Sequence, residues 1–146
     1  MPIRTDWVTY GEHSGYLAWP ERAVLPLPAL LVIHEVWGVD ALIEDVTNRL
    51  AAAGYATLAP DLYARHGERP AAWSRERAAE AQAFVNTRPS MNWMDPNVRQ
   101  VETSKLPATQ SRRVGETLDA LFASLAAGPV QGEQHVKPLL AATRFL

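Results

Sequence analysis

The apolar residues of this chain change their spacing within the first sixty positions, and each spacing predicts a different element. Ala29 to Ile33 is a continuous aliphatic run without alternation, which is typical of a strand covered on both faces. From Asp40 to Ala53 the apolar residues recur at helical spacing, with Asp40 as the N-cap and Gly54 in the place of a C-terminal cap. Tyr55 to Ala59 is a second apolar strand. Together they predict a βαβ unit with a parallel sheet.

The flanking segments add a hairpin and several helices to this unit. Two β-favouring runs, Trp7–Tyr10 and Tyr16–Trp19, are separated by a five-residue connection with glycines, which predicts an antiparallel hairpin. Downstream, Ser74 begins a helix that reaches about Asn86, and Ser111 begins a second one that Gly128-Pro129 ends. A final amphipathic segment follows. The pattern therefore predicts an α/β fold, with the hairpin preceding the parallel strands and helices flanking the sheet.

Residues 87–110 have no clear apolar period. They contain Pro89, Pro96 and Pro107 among scattered polar residues. A long span without regular structure inside a compact domain is usually a binding loop, a lid or disorder. We therefore predict a single domain over residues 1–146 with an irregular loop or lid at 87–110. Trp73 and Trp93 flank that region, and the sequence does not separate packing residues from an aromatic pocket wall.

Composition excludes several classes of function. With 146 residues, a net charge of −2 and scattered basic residues, the chain has no electrostatic footprint for nucleic acid. It contains no cysteine, which excludes disulfides, a cysteine nucleophile and cysteine-ligated zinc within these residues. No signal peptide and no apolar run long enough to span a bilayer is visible. We expect a soluble cytoplasmic protein with no membrane or nucleic-acid partner, no metal and no cofactor.

The residues directly after the first buried run are the strongest candidates for chemistry. His34 and Glu35 follow the apolar strand, and a lone carboxylate there has to be solvated, paired or put to use. A strand-end carboxylate accepting backbone N–H groups is the structural alternative for Glu35. His34 is interpreted as structural, since no second ligand stands at metal spacing. Asp61, between Pro60 and Leu62, is interpreted as a turn-forming residue.

Three segments taken together resemble a known family. The run Leu30–Gly38, the helix end at Ala53–Tyr55 and the run Ala59–Arg65 look like the N-terminal half of the dienelactone hydrolases, which have the α/β-hydrolase fold. The resemblance covers residues 7–70 well and the helical remainder loosely. It implies a mostly parallel eight-stranded sheet and a hydrolase of small lactones or carboxylic esters that works through an acyl-enzyme. Its nucleophile would be Cys or Ser, followed in the sequence by an Asp and a His.

The resemblance also implies roles for five residues. Glu35 matches the acidic residue that modulates the nucleophile in the resting enzyme, and Val36 matches the position whose backbone N–H contributes to the oxyanion hole. Trp37 would line the substrate pocket. The family holds a substrate carboxylate with an arginine, and either Arg75 or Arg77 is the candidate for that position.

The nucleophile itself is missing from the pattern. The family places it in a Gly-x-Cys/Ser-x-Gly turn between a strand and a helix, and none of the serines of this chain has the flanking glycines. We expect the domain to be incomplete, truncated before the nucleophile strand, and inactive alone. The alternative is a non-catalytic truncated product, or one half of a split hydrolase that needs a partner chain.

A missing nucleophile strand has a consequence for the strand at residues 29–33. In the family's strand order, one edge of that strand would be left unpaired, and unpaired aliphatic edges promote association. We therefore predict self-association, or coverage by a complementing C-terminal segment, through this edge. The small-molecule partner would be an ester or lactone.

Overall fold

The computed structural model describes the backbone of residues 1–126 and 129–146, with side chains for residues 1–126 and 135–146. The described residues form four strands, five α-helices and one short 3-10 helix. In chain order these are β1 (Ile3–Tyr10), β2 (His13–Pro20), β3 (Ala29–Leu31), α1 (Ala41–Ala52), β4 (Ala56–Pro60), the 3-10 helix (Ala71–Trp73), α2 (Arg75–Asn86), α3 (Pro96–Thr103), α4 (Ala108–Ala126) and α5 (Pro129–Phe145).

The four strands form one mixed sheet in the order β1-β2-β4-β3. β1 and β2 are antiparallel, β2 and β4 are antiparallel, and β3 lies parallel to β4. The predicted hairpin followed by a parallel βαβ unit is therefore confirmed. Its strands are longer than expected and Tyr10 pairs with His13, so the connection has two residues rather than five.

A helix packs on each face of this sheet. Consecutive strand residues point to opposite faces, so the side chains of Leu58 and Ala59 in β4 lie on different faces of the sheet. Ala59 packs with Tyr16 and with Ile43 of α1. Leu58 packs with Tyr10 and with Ala142 of α5, together with partly buried aliphatic residues of β1, β2 and β3. The sheet is therefore the middle layer of this part of the molecule.

The predicted caps of α1 are present. The Asp40 carboxylate accepts a hydrogen bond from the Ile43 N–H at 3.0 Å. This N–H is in the first turn, where the helix itself offers no carbonyl acceptor. Gly54 follows the helix with a φ of +108°, a conformation that favours glycine. These two residues set where the helix begins and ends, and so fix the length of the crossover between β3 and β4.

The prediction that residues 29–33 form a strand covered on both faces is wrong. β3 has only three residues; Ala29 is exposed, and Leu30 and Leu31 are half-buried. Ile33 lies beyond the strand and is 58% exposed. The physical reason is position, because β3 pairs with β4 alone among the described strands. An edge strand lacks the neighbour that would bury it.

The segment 87–110 is not irregular throughout, contrary to the sequence prediction. It contains α3 and the start of α4. Pro96 is at the start of α3 behind the N-cap Asp95, where the missing N–H of proline costs nothing. Pro107 directly precedes α4. The prolines therefore mark helix starts, and the predicted break at Gly128 lies outside the described residues.

The chain divides into two compact units, and the single domain over residues 1–146 stays a prediction. The first unit, which contains the sheet, comprises residues 1–69 and 133–146, and the second comprises residues 70–132. Among the described residues, none of the helices has the length and apolar character that crossing a bilayer requires.

Candidate active site

The turn that follows β3 is closed by a backbone hydrogen bond. The Gly38 N–H donates to the Glu35 carbonyl at 3.1 Å. Gly38 has a φ of +80°, and a Cβ added there would lie 2.7 Å from a guanidinium nitrogen of Arg69. Both the backbone conformation and the close approach therefore require glycine at this position. We call residues 34–38 the His34–Gly38 turn.

His34 joins this turn to the segment after β4. The residue is 9% exposed; its Nδ1 lies 2.7 Å from the Glu35 carbonyl oxygen, and its Nε2 accepts the Leu62 N–H at 3.1 Å. A carbonyl cannot donate and an amide N–H cannot accept, so the single ring proton is on Nδ1. Burial lowers the pKa of His34, which keeps the ring neutral in this position. The structural interpretation of His34 agrees with these contacts.

A buried ion pair supports the same turn. The Asp61 carboxylate and the Arg69 guanidinium are joined at 2.6 Å, and their side chains are 4% and 5% exposed. The second Asp61 oxygen accepts the Tyr63 N–H at 3.1 Å, which is the turn-forming role predicted for Asp61. The Tyr63 hydroxyl in turn donates to the Val36 carbonyl at 2.9 Å, and burial raises the pKa of that hydroxyl. Two neighbouring turns are thus held together by side chains.

The hydrogen bonds to the Glu35 carbonyl also orient the next amide. The only cis peptide bond among the described residues joins Leu25 to Pro26, so the Glu35–Val36 peptide is trans. In a trans peptide the C=O and the N–H point in opposite directions. The Val36 N–H therefore points away from the His34 ring, and it has no acceptor among the described residues. An oriented N–H without an acceptor is what an oxyanion site requires.

The structure places the predicted site residues as follows. Glu35 is exposed, and Val36 and Trp37 are half-buried, all on the His34–Gly38 turn of the first unit. Arg75 and Arg77 belong to the second unit. Arg75 is exposed as the first residue of α2. The roles assigned to these five residues stay predictions.

Arg77 has several partners within its own unit. Its Nε donates to the Thr117 hydroxyl at 3.1 Å, and one Nη donates to the Arg113 carbonyl at 2.7 Å and to Glu116 at 2.9 Å. These contacts fasten α2 to α4. They give Arg77 a structural role that the sequence did not reveal.

Trp93 is a packing residue. It is 8% exposed, its ring meets Phe84 edge to face at 5.7 Å, and its indole N–H donates to the Arg88 carbonyl. For this tryptophan, the contact decides between the two interpretations that the sequence left open. Trp73 is half-buried.

Arg69, Tyr63 and Leu62 are site-forming residues that sequence reasoning missed. Tyr63 and Leu62 lie within the Ala59–Arg65 run that carries the family resemblance, so their place in that motif was a usable signal. Arg69 stands eight residues from Asp61 in a turn with its own bridge between Arg65 and Glu68, and no sequence spacing indicates that pairing. Within the described residues, no group of three or more potential ligands is arranged to hold a metal ion.

The chain is similar over part of its length to proteins that are named as hydrolases. It is 54% identical over 58 residues to a "Putative carboxymethylenebutenolidase" of Methylorubrum extorquens, covering 40% of this chain and 20% of that one. It is 43% identical over 65 residues to a "Putative hydrolase fragment" of Escherichia coli, covering 40% of this chain and 56% of that one. The chain thus spans between a fifth and just over half of the length of these relatives.

A solved structure and a family model extend the comparison. The crystal structure of a "Putative Dienelactone Hydrolase" from Klebsiella pneumoniae matches 84% of this chain and 45% of its own, at 23% identity and a TM-score of 0.43. The sequence model of the dienelactone hydrolase family matches residues 13–137. That match includes both turns described above and most of the chain. The chain therefore belongs to the dienelactone hydrolase family.

Proposed function

We propose that the His34–Gly38 turn is the oxyanion-stabilising part of a hydrolase that cleaves small lactones or carboxylic esters through an acyl-enzyme intermediate. The observation that carries the proposal is the Val36 N–H, which is oriented by two hydrogen bonds to the adjacent carbonyl and has no acceptor among the described residues. A preorganised donor of this kind stabilises the negative oxygen of a tetrahedral intermediate, and losing one costs on the order of 10²–10³ in rate.

The reaction requires a nucleophile in the family's pattern, which these 146 residues do not contain. A Ser or Cys would attack the substrate carbonyl carbon and pass its proton to a His, and the carbon–oxygen bond would break as that His gives the proton to the oxygen of the leaving alcohol or enol. Water would then hydrolyse the acyl-enzyme. The 146 residues contain no cysteine and no serine between suitably placed glycines. We therefore propose that the chain is inactive by itself.

Glu35 and Trp37 would complete the site from this chain's side. The exposed Glu35 carboxylate lies on the turn after β3 and would modulate the protonation of the nucleophile. Trp37, half-buried on the same turn, would line the pocket. Arg75 or Arg77 is proposed to bind a substrate carboxylate, and the Arg77 guanidinium also donates to three groups within its own unit.

The proposal is tested by assaying the chain on p-nitrophenyl acetate and on a small lactone, alone and co-produced with the C-terminal part of a family relative. We expect no turnover above buffer for the chain alone, and ester hydrolysis after complementation. Val36→Pro removes the N–H and should reduce kcat on the order of 10²-fold, while the matched control Val36→Ala keeps the N–H and activity. Turnover by the chain alone would contradict the inactivity, and equal effects of the two substitutions would contradict the role of Val36.

A second candidate function is favoured by the edge of β3. β3 pairs with β4 alone among the described strands, and the aliphatic Ile33 beyond it is 58% exposed. Such an edge suits a non-catalytic chain that associates with itself, or one half of a split hydrolase that pairs with a complementing strand. Light scattering of the chain with and without the C-terminal part of a relative separates these outcomes. A monodisperse monomer in both samples, with amides of residues 29–33 that exchange freely, would contradict both.

A further inference from the structure

We infer that His34 is a positioning residue: its Nδ1–H fixes the Glu35–Val36 peptide so that the Val36 N–H is presented for an oxyanion. This rests on the proposed function of the turn and adds to it a residue that takes no part in the reaction itself. The inference comes from three atoms in sequence, namely the His34 Nδ1, the Glu35 carbonyl oxygen 2.7 Å away, and the Val36 amide on the opposite side of the same peptide.

One other hydrogen bond acts on the peptide that follows, because the Tyr63 hydroxyl donates to the Val36 carbonyl at 2.9 Å. The Gly38 N–H also donates to the Glu35 carbonyl, but at 3.1 Å and across a turn whose glycine has a positive φ. At 3.1 Å this bond is near the long end of the range for N–H···O hydrogen bonds, whereas the 2.7 Å bond from the His34 ring is at the short end. The shorter bond from the His34 ring therefore supplies the stiffer constraint on the carbonyl, and the Val36 N–H follows because the peptide is planar.

The ring can act in this way only because its other nitrogen is occupied. The Leu62 N–H donates to Nε2 at 3.1 Å, which leaves the proton on Nδ1 and selects the required tautomer. Leu62 belongs to the turn after β4, and β3 and β4 pair in parallel. The orientation of the Val36 amide is thus tied to the neighbouring strand through one neutral imidazole.

Two substitutions separate the functions of the two ring nitrogens. His34→Asn would place a side-chain amide N–H near the position of Nδ1 and keep the donor to Glu35, while losing the acceptor for Leu62. His34→Gln would place a side-chain oxygen near the position of Nε2 and keep that acceptor, while losing the donor. Each variant removes one hydrogen bond of a buried side chain, so each controls for the packing effect of the other.

The experiment is NMR of the 15N,13C-labelled full chain. In H34N we expect the Val36 amide shift and the through-hydrogen-bond coupling from Gly38 N–H to the Glu35 carbonyl to be retained, and in H34Q we expect both to change. Equal perturbation in the two variants, or none in either, would overturn the inference. If neither variant folds, the imidazole of the unmodified chain decides: a proton on Nε2 rather than Nδ1 would overturn it, and a proton on Nδ1 would support it.

The complemented hydrolase provides a readout that distinguishes this inference from the proposed function. We expect H34Q to lower kcat on the order of 10- to 10²-fold with KM unchanged, and H34N to retain kcat within about threefold. Absence of ester hydrolysis in the complemented chain, with the NMR result intact, would contradict the proposed function and leave the positioning role standing. Equal kcat in H34N and H34Q would overturn the positioning role.

Discussion

Each of the two units of this chain has its own buried apolar residues, and the units differ in how many arginine contacts link their elements. In the sheet unit, aliphatic residues pack on both faces of β4, and the Asp61–Arg69 ion pair is buried on both sides. In the helical unit, arginines link the elements. Arg77 joins α2 to α4, and Arg99 of α3 donates to Asp119 of α4 and to the Trp93 and Met94 carbonyls.

The difference explains why the two units could not be predicted equally well from the sequence. Apolar residues at regular spacing indicate an element and the face that it buries. An arginine that donates to a carbonyl or to a carboxylate on another helix has no such period. The same comparison predicts which substitutions destabilise each unit most. Removing the partner of a buried charge lowers the free energy of unfolding more than removing the partner of an exposed charge.

The largest effect is expected for Asp61→Ala in the sheet unit. The substitution leaves the Arg69 guanidinium buried without its carboxylate, which typically costs about 3–5 kcal/mol. Native-state hydrogen exchange of the β4 amides measures the free energy of opening. The double variant Asp61→Leu with Arg69→Met is the control and should recover most of the loss. A loss below about 1 kcal/mol in D61A would show that the pair is not desolvated.

A smaller effect is expected for Arg99→Leu in the helical unit. The Arg99 side chain is 7% exposed, but its partner Asp119 is 64% exposed and can return to water. The variant loses mainly the hydrogen bonds that Arg99 donates to two backbone carbonyls, which should lower the free energy of unfolding by about 1–3 kcal/mol. Urea denaturation followed by far-UV circular dichroism measures this loss. Arg113→Leu, which removes exposed ion pairs, is the control and should change the free energy of unfolding by at most about 1 kcal/mol. Equal losses in the two variants would contradict the prediction that the buried arginine contributes more than the exposed one.

The free energy of unfolding of the sheet unit should depend on pH through the titration of His34. Its pKa in the folded chain is lowered, chiefly by burial, so the unfolded chain binds a proton more readily. Stability is therefore full above the ordinary histidine pKa of about 6.5. As pH falls below that value it declines by at most about 1.4 kcal/mol per pH unit for this group, until the folded pKa is reached.

The measurement is the free energy of unfolding between about pH 7.5 and 5, a window that brackets the ordinary histidine pKa, compared with H34N. The variant should lose the part of the slope that His34 contributes. His135, whose pKa burial also lowers, contributes in the same direction in both proteins, and its charge also lowers the pKa of His34. Parallel curves for the two proteins would contradict a neutral His34.

The smallest effects are expected at the helix N-caps, one in each unit. Asp40 accepts the Ile43 N–H at 3.0 Å, and Ser74 accepts the Arg77 N–H at 3.3 Å. Substitution of either by Ala should cost about 1 kcal/mol, with the shorter bond of Asp40 giving the larger loss. Thermal denaturation of the two variants measures this, with D40N and S74T as controls that keep a capping oxygen. A reversed order would mean that bond length does not rank these caps.

Part of the candidate site could be predicted from the sequence and part could not. The turn after β3 was predicted because residues 30–38 and 59–65 carry a specific motif, and Glu35, Val36 and Trp37 are contiguous within it. The prediction for segment 87–110 is wrong because prolines among scattered polar residues, without an apolar period, indicate irregular structure when the sequence is considered alone. Pro96 instead follows the cap Asp95 at the start of α3. Which of the two roles a proline has depends on the residues that pack around it.

The sequence by itself determined the elements of the sheet unit, the caps of α1 and the family, because periodicity, capping and local motifs are properties of neighbouring residues. Only the tertiary structure decided that β3 is a half-exposed edge, that Asp61 pairs with Arg69, and that the Leu62 amide leaves the His34 proton on Nδ1. These contacts join residues whose separation in the chain follows no period. They form only when two turns meet at the same edge of a sheet, and that meeting is what orients the Val36 amide.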